Sequence, residues 1–421
     1  MLSRKISTGV TGLWFLIGEH LRLGTWDLLK GLTGKTDYDF EPRIAQQLIN
    51  ESAACRSRIR SGNYITNQGF ELLNGLRVLA SDEEVHKFLN QYSMEQYRDL
   101  QQNLIKMRKI NGHFKGEVIA IDPHRIVSHS KRIMPKKKKL PRASAEKMLQ
   151  SYFLLDAQTK QPISFNIGSS GINLLAPTLQ AMETAKVVSN NAIILADKEH
   201  YNKRFFGQMS TLTKHSLLVP AQENTKIKKT QKKLKYKECW TGYAVAEDVY
   251  YFAGSKQNYR LIVQREGLRE DNYQYKSFLT TSDKLPEELM TEYYPERWTI
   301  ESFFKNEGAL GFDSASTLNL NVKFGKMNMA LLAQAALYQF RQKLPAPFNS
   351  WDAEHLADSM FRGIDGDIRV KGDTIVVTCY NVPKQYNLHN NYSNLPQRLA
   401  SEGIDPRIKW LYNFKLDFRF K

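Results

Sequence analysis

Two apolar runs constrain the fold of this chain more than any other feature: GEVIAID, which begins at Gly116 and ends on Asp122, and NNAIILAD, which ends on Asp197. Each is short, almost continuously apolar and closed by a carboxylate, the pattern of a strand covered on both faces of a sheet. Between them, SYFLLDAQTKQPISFNIG reads as two strands about a polar turn, and NLLAPTLQAMETAKVVS has a helical period. The order is strand, hairpin, helix, strand, and a right-handed crossover returns the last strand to the sheet of the first. If those two strands are neighbours, Asp122 and Asp197 meet at one sheet edge.

The flanking segments differ in texture, and at 421 residues the chain is long enough for roughly two to four structural units. Residues 1–115 carry helical periods such as RIAQQLINESAACRSRIR, and Ser81 with Glu84 has capping-box spacing before another. An all-helical N-terminal domain is expected, whose Arg56, Arg58 and Arg60 face either nucleic acid or solvent. Residues 116–213 form the first part of an α/β core. The strand-like stretches of 214–290 (SLLVPA, YAVAEDVYYFA, YRLIVQRE, YKSFLTTS) form a β-rich insertion containing the basic run Lys226 to Lys237. Residues 291–345 return to the core as helix, and 346–421 form a C-terminal region with the hairpin DIRVKGDTIVVTCY, turning at Lys371 to Asp373.

Charge narrows the partners. Sixty Lys and Arg against 43 Asp and Glu give a net charge of +17, a field suited to polyanions, whether DNA, RNA or an anionic surface. Cys55, Cys239 and Cys379 are far apart and form no C-x-x-C, which excludes a disulfide framework and a zinc finger and fits a reducing, cytoplasmic setting. VTGLWFLIG is too short to span a membrane and is followed closely by Glu19, His20 and Arg22, so it begins a soluble helical region. GLTGKT is no P-loop, because Leu29 stands where the first glycine belongs.

A third carboxylate, Glu301, lies in YYPERWTIESFFK. Taken singly, the three acids are a turn residue, an N-cap and half of a Glu301–Lys305 ion pair. Together they have the makings of a two-metal site for phosphodiester cleavage, with Asp122 bridging two ions and Asp197 and Glu301 each holding one; oxygen ligands favour Mg²⁺ or Mn²⁺. On one helix, Tyr294, Arg297, Trp298 and Glu301 fall at i, i+3, i+4 and i+7, with Pro295 in the first turn. Arg297 offers a bidentate phosphate contact and Tyr294 a single one, while Trp298 is either core or a platform for an unstacked base. His124 and Arg125 either contact the scissile phosphate or shape the strand exit, and His200 and Tyr201 neighbour Asp197. Lys136, Lys137, Lys138 and Lys139 read as a mobile basic loop placed to hold a DNA backbone. Asp313 is a weaker third acid, lacking the flanking Arg and Trp.

These residues resemble the DDE transposases of the IS4-like insertion-sequence superfamily, whose catalytic core is RNase H-like. The third acid of that family lies in a Y-x2-R-x3-E-x6-K signature, which Tyr294, Arg297 and Glu301 match and Gly308 breaks; Lys305, one turn earlier, is the available substitute. IDPHR and LADKEHY are similar to the family's first and second aspartate regions, so the likeness runs from about Gly116 to Leu344. It implies a mixed sheet flanked by helices, two Mg²⁺ or Mn²⁺ ions on Asp122, Asp197 and Glu301, and double-stranded DNA as partner, both as terminal inverted repeats and as target. It also implies 3′-end hydrolysis, hairpin formation on the flap strand and strand transfer within a homodimer. The missing lysine leaves two rivals, a DNA-binding descendant without catalysis and a nuclease that never joins. A generic RNA-binding module leaves the three acids unexplained.

Overall fold

The computed structural model describes residues 4–56, 67–128, 133, 135–138, 144–169, 174–312 and 319–421. Arg58, Arg60, Lys139 and Asp313 lie outside the described residues, as does the side chain of Lys137. Contacts divide the chain into two compact units, one of Met1–Asn111, Ser128–Arg132 and Phe304–Lys421, the other of Gly112–Val127 and Ile133–Phe303.

The first unit is built around the helix Leu320–Arg341, 22 residues long and buried over nearly its whole length. A helix buried around its whole circumference needs neighbours on every side, although Lys323, Lys326, Asn328, Gln334 and Arg341 are among its buried residues. It finds them in the helices Phe15–Arg22, Glu41–Ala53, Asp82–Gln91 and Met94–Ile110. The sequence assigned residues 291–345 to the catalytic core; from Phe304 onward they belong instead to the unit of the N-terminal helices, which supply most of this helix's cover, with Phe361 and Tyr392 against Phe340. VTGLWFLIG lies at the centre of the unit, with Leu13, Trp14, Phe15 and Leu16 fully buried. Ser81 and Glu84 form the capping box that their spacing implied, and Ser93 with Gln96 forms a second. The N-terminal segment is not purely helical: β1 (Ile6–Thr8) pairs with residues 366–368.

The second unit carries a ten-stranded sheet. Its strands are β2 (Val118–Val127), β3 (Lys136–Lys138), β4 (Ala145–Asp156), β5 (Gln161–Ser169), β6 (Ile193–Ala196), β7 (Ser216–Pro220), β8 (Lys237–Trp240), β9 (Tyr243–Tyr251), β10 (Asn258–Glu266) and β11 (Gln274–Thr280). Across β5-β4-β2-β6-β7, the first three strands are antiparallel and the last two run parallel to β2, an RNase H-like arrangement. The crossover from β5 to β6 is the helix Leu175–Val188, which packs on β4 and β5. The segment read as an insertion does not stand apart from this sheet. β7 is itself a core strand, and β11, β10, β9 and β8 follow outward from it, so the unpaired edge that β7 would expose is covered by hydrogen-bonded neighbours.

Lys136–Lys138, expected to be a loop, form β3 and pair with Ala145–Lys147 of β4. They do so because β4 is 12 residues long and extends past the end of its pairing with β2 at Met148, leaving donors and acceptors for a further strand.

The chain ends with β12 (Gly366–Lys371), β13 (Thr374–Cys379) and β14 (Lys415–Phe420), which complete the sheet β1-β12-β13-β14 of the first unit. The β12–β13 hairpin turns on Gly372 and Asp373 alone, with Gly372 at φ +59°. Among the described residues no helix is long and apolar enough to cross a membrane.

Glu51, on the helix Glu41–Ala53, gives the first unit a pH dependence. It is buried, with one carboxylate oxygen accepting from the Gln47 amide at 2.9 Å. Burial raises its carboxyl from 4.5 to about 7, against weaker pulls from Gln47 and Lys326. The charged form is the penalised one, so the cost is absent below pH 4.5 and complete above about pH 7. In urea unfolding, Glu51→Gln is expected to gain ~3 kcal/mol on the wild type between pH 4 and pH 8; parallel pH profiles would contradict this.

Candidate active site

The parallel pairing of β2 with β6 runs from Val118↔Ile193 to Ile121↔Ala196. Asp122 and Asp197 come next on their strands, side by side at the carboxyl ends where α/β sheets place their ligands. β6 ends there, but β2 does not: it continues to Val127 against β4, with Asp122 opposite Phe153. Asp122 is therefore a mid-strand residue, not the strand exit that IDPHR suggested. Pro123, with no N–H to give, falls where β6 has turned away and no ladder is lost on that side.

Asp197 caps the 3-10 turn Lys198–His200, accepting from the Glu199 N–H at 3.1 Å. The same oxygen lies 2.7 Å from His200 Nδ1, and the buried His200 ring places Nε2 3.3 Å from Thr178 Oγ1. The cap and the candidate ligand are one carboxylate, fixed from behind by an imidazole. Arg125 forms an ion pair with Glu199 and so ties this turn to β2. His124 lies on β2 opposite Ser151, whose hydroxyl donates to the His124 carbonyl at 3.3 Å. Tyr201 donates to the Tyr250 hydroxyl at 2.8 Å.

The Glu301 element is a helical run of changing pitch. A π turn at Leu289–Tyr293 passes into a 3-10 turn at Tyr294–Trp298 and then the α-helix Thr299–Glu307. Pro295 cannot donate to the carbonyl four residues back, so the coil widens before it and tightens after it. The even face expected of Tyr294, Arg297, Trp298 and Glu301 is distorted accordingly. Tyr294 turns inward, its ring 4.6 Å edge-on from Phe278; burial raises its hydroxyl, while Arg297 pulls it down. Trp298 is 58% exposed, so it is no core residue, and the Arg297 guanidinium lies 4.9 Å from its ring. Glu301 is held at the surface because Ile300 and Phe303 bury the other side of the helix, with the Phe303 ring 5.8 Å from that of Phe153.

Arg297 stands between two of the acids, with Nη1 3.8 Å from Asp122 Oδ1 and Nη2 3.1 Å from Glu301 Oε1. Glu301 thus pairs backward with Arg297. Lys305 is exposed and belongs to the first unit. Burial, and then the Asp197 charge, push the Asp122 carboxyl up to about 7; Arg297 opposes this, Glu301 adds to it, and Arg125 opposes it more weakly. The residues fit a divalent cation in kind, since all three are hard oxygen donors and Asp122 carries charge that its surroundings do not neutralise. As placed, no three Asp, Glu, His or Cys side chains among the described residues converge closely enough to hold one. The guanidinium of Arg297 fills the space between Asp122 and Glu301.

Beside the acids opens a cleft of about 620 Å³, lined among others by Trp240, Tyr243, Tyr275, Tyr294 and Trp298. Trp240 and Tyr243 stack at 4.3 Å and 8° across the tight turn Thr241–Gly242, where Gly242 has φ +81°. The sequence reading missed this wall. Its signal was WTGY, two aromatics flanking a two-residue glycine turn. Lys136 and Lys138 are exposed but stand apart: Lys136 pairs with Lys147 of β4, whereas Asp122 pairs with Phe153, six residues or about 20 Å along the strand. The structure therefore gathers Asp122, Asp197, Arg297 and Glu301, with Arg125 behind them, and does not gather the lysine run.

An RNase H-like sheet thus carries Asp122 within one strand, Asp197 just past the end of its parallel neighbour, and Glu301 on a following helix. The transposase DDE domain model matches residues 113–335, more than half of the chain, and the chain belongs to that family. No curated protein matches it. Among solved structures, a piggyBac transposase synaptic complex with hairpin DNA aligns over 86% of this chain and 84% of its own, at 14% identity and TM-score 0.43.

The crowding of Asp122 has a measurable sign. Its folded pKa, about 7, exceeds the 3.8 of an ordinary aspartate, so in chelator the charged form destabilises the fold fully above pH 7 and not at all below about pH 4. Asp122→Asn is expected to raise the chelated protein's melting temperature at pH 8, by up to about 4 kcal/mol in stability, and to change little near pH 4. Equal melting of variant and wild type at pH 8 would refute the charge conflict.

Proposed function

We propose that this chain is an IS4-like transposase that cuts double-stranded DNA at the ends of an insertion element and joins those ends to target DNA. The observation that carries the reading is the β2–β6 register, which sets Asp122 beside Asp197 and within the field of Arg297 and Glu301. Asp122, Asp197 and Glu301 would hold two Mg²⁺ or Mn²⁺ ions, which when bound supply an activated water or 3′-OH and a Lewis acid for the leaving oxygen.

The chain's own residues do the rest. His200 orients the Asp197 carboxylate. Arg297, once released by the acids, presents a fork to a phosphate, and its buried Nε has no hydrogen-bond partner among the described residues, a donor that a phosphate oxygen satisfies. The exposed Trp298 and the stacked Trp240–Tyr243 pair offer flat surfaces to a base drawn out of the helix, which supports hairpin formation on the flap strand. Lys136 and Lys138 hold backbone away from the cut, and two copies act on two element ends in the cytoplasm, at the nucleoid. A second reading, a DNA-binding descendant that no longer cuts, is favoured by Gly308, buried in the turn Gly308–Leu310 where the family signature has a lysine.

With Mg²⁺ and a duplex carrying the element's own end, the wild type is expected to nick and then join. Asp122→Ala, Asp197→Ala or Glu301→Ala should each lower nicking by at least ~100-fold, the scale of losing an electrostatic group that acts in the transition state. Retained cutting by Asp122→Ala would sink the mechanism. Binding without cutting by the wild type would favour the second reading, and nicking of the duplex with no strand transfer of pre-cut ends would leave a nuclease.

A further inference from the structure

Three basic side chains line the cleft beside the acids, Lys198, Lys276 and Arg297, along with two carboxylates, Glu223 and Glu266. Four of the five are already matched. Lys276 lies 3.4 Å from Glu266, Lys228 lies 3.6 Å from Glu223, and Arg297 is shared between Asp122 and Glu301. Lys198 is exposed and has no ion pair or side-chain hydrogen bond among the described residues.

Its backbone, by contrast, is fixed. Lys198 opens the turn capped by Asp197, and its carbonyl accepts from the Tyr201 N–H at 3.2 Å. A long cationic side chain therefore leaves a rigid turn directly beside a candidate ligand and reaches a cleft walled by Trp240, Tyr243 and Trp298. Flat aromatic surface beside an unmatched ammonium suits a ligand that is both ring and anion, which is a nucleotide with its phosphate.

We propose that Lys198 grips the phosphodiester of the nucleotide whose base enters this cleft. The assignment rests on the DNA-cutting reading above and adds to it the residue that anchors the strand. Lys198 acts as a point charge on one phosphate, and its loss removes one counter-ion release and leaves the carboxylates in place.

The test uses the full chain, without divalent ions, and a fluorescent duplex made from the DNA that flanks the reading frame, with single methylphosphonates placed in turn around the element end. Lys198→Ala should weaken binding ~10-fold, the size of one charge-assisted contact, and lower the slope of log K against log salt by about 0.9. Lys198→Arg should keep the slope. One methylphosphonate position should cost the wild type the same factor and cost Lys198→Ala nothing, the non-additivity of two groups in contact. An unchanged slope, or additive losses at every position, overturns the proposal, as does the same non-additivity found with Lys305→Ala in place of Lys198→Ala. A wild type that binds the end but does not nick it with Mg²⁺ removes the cutting reading, and the slope and methylphosphonate results still decide Lys198. A wild type that does not bind the duplex overturns both.

Discussion

The alignment of β2 with β6 is the constraint on which the rest of the second unit depends. Val118 to Ile121 and Ile193 to Ala196 are all buried, so a shift of one residue would exchange side chains of different shape between two packed faces and draw a flanking charged residue into the covered stretch. The residues that follow are Asp122 and Asp197, on strands about 4.8 Å apart. Two acids are thus held together by a backbone ladder that has no freedom to separate them. Their repulsion is a consequence of packing elsewhere, and burial of Asp122 adds to it.

The remaining groups answer that conflict. Arg297 reaches Asp122 and Glu301 at once because a guanidinium is a planar fork; an ammonium has no such spread. It arrives there from a helical run whose pitch changes at Pro295, and the same irregularity sends Tyr294 inward and leaves Trp298 on the surface. His200 and the Arg125–Glu199 pair fix the second aspartate from behind. The site is therefore charged, crowded and only partly neutralised, with an arginine standing among the acids that bind a cation in the reading favoured above.

Much of this was legible in the residues. Continuous apolar runs ending in Asp gave strands and their order, and a right-handed crossover between them made β2 and β6 candidates for neighbours. The Ser81 capping box and the Gly372 hairpin were readable because both depend on a few adjacent residues. Other features left no local trace. Nothing near Leu320–Arg341 says that its partners are helices more than 200 residues upstream, and Lys136–Lys138 look like a loop until β4 proves long enough to pair with them. The WTGY hairpin of the aromatic cleft is local, but its meeting with β11 and the Pro295 turn exists only in the fold.

Taken alone, the sequence determined the kind of sheet and singled out three acids and an arginine as candidates, because hydrophobic period and residue chemistry act over short stretches of chain. The tertiary structure decided which charges remain unmatched. That Arg297 lies between Asp122 and Glu301, that Asp197 is at once cap and candidate ligand, and that among the described residues Lys276 has an ion pair and Lys198 none are outcomes of distance and burial. Both are set by how separate elements pack, and no spacing along the chain encodes them.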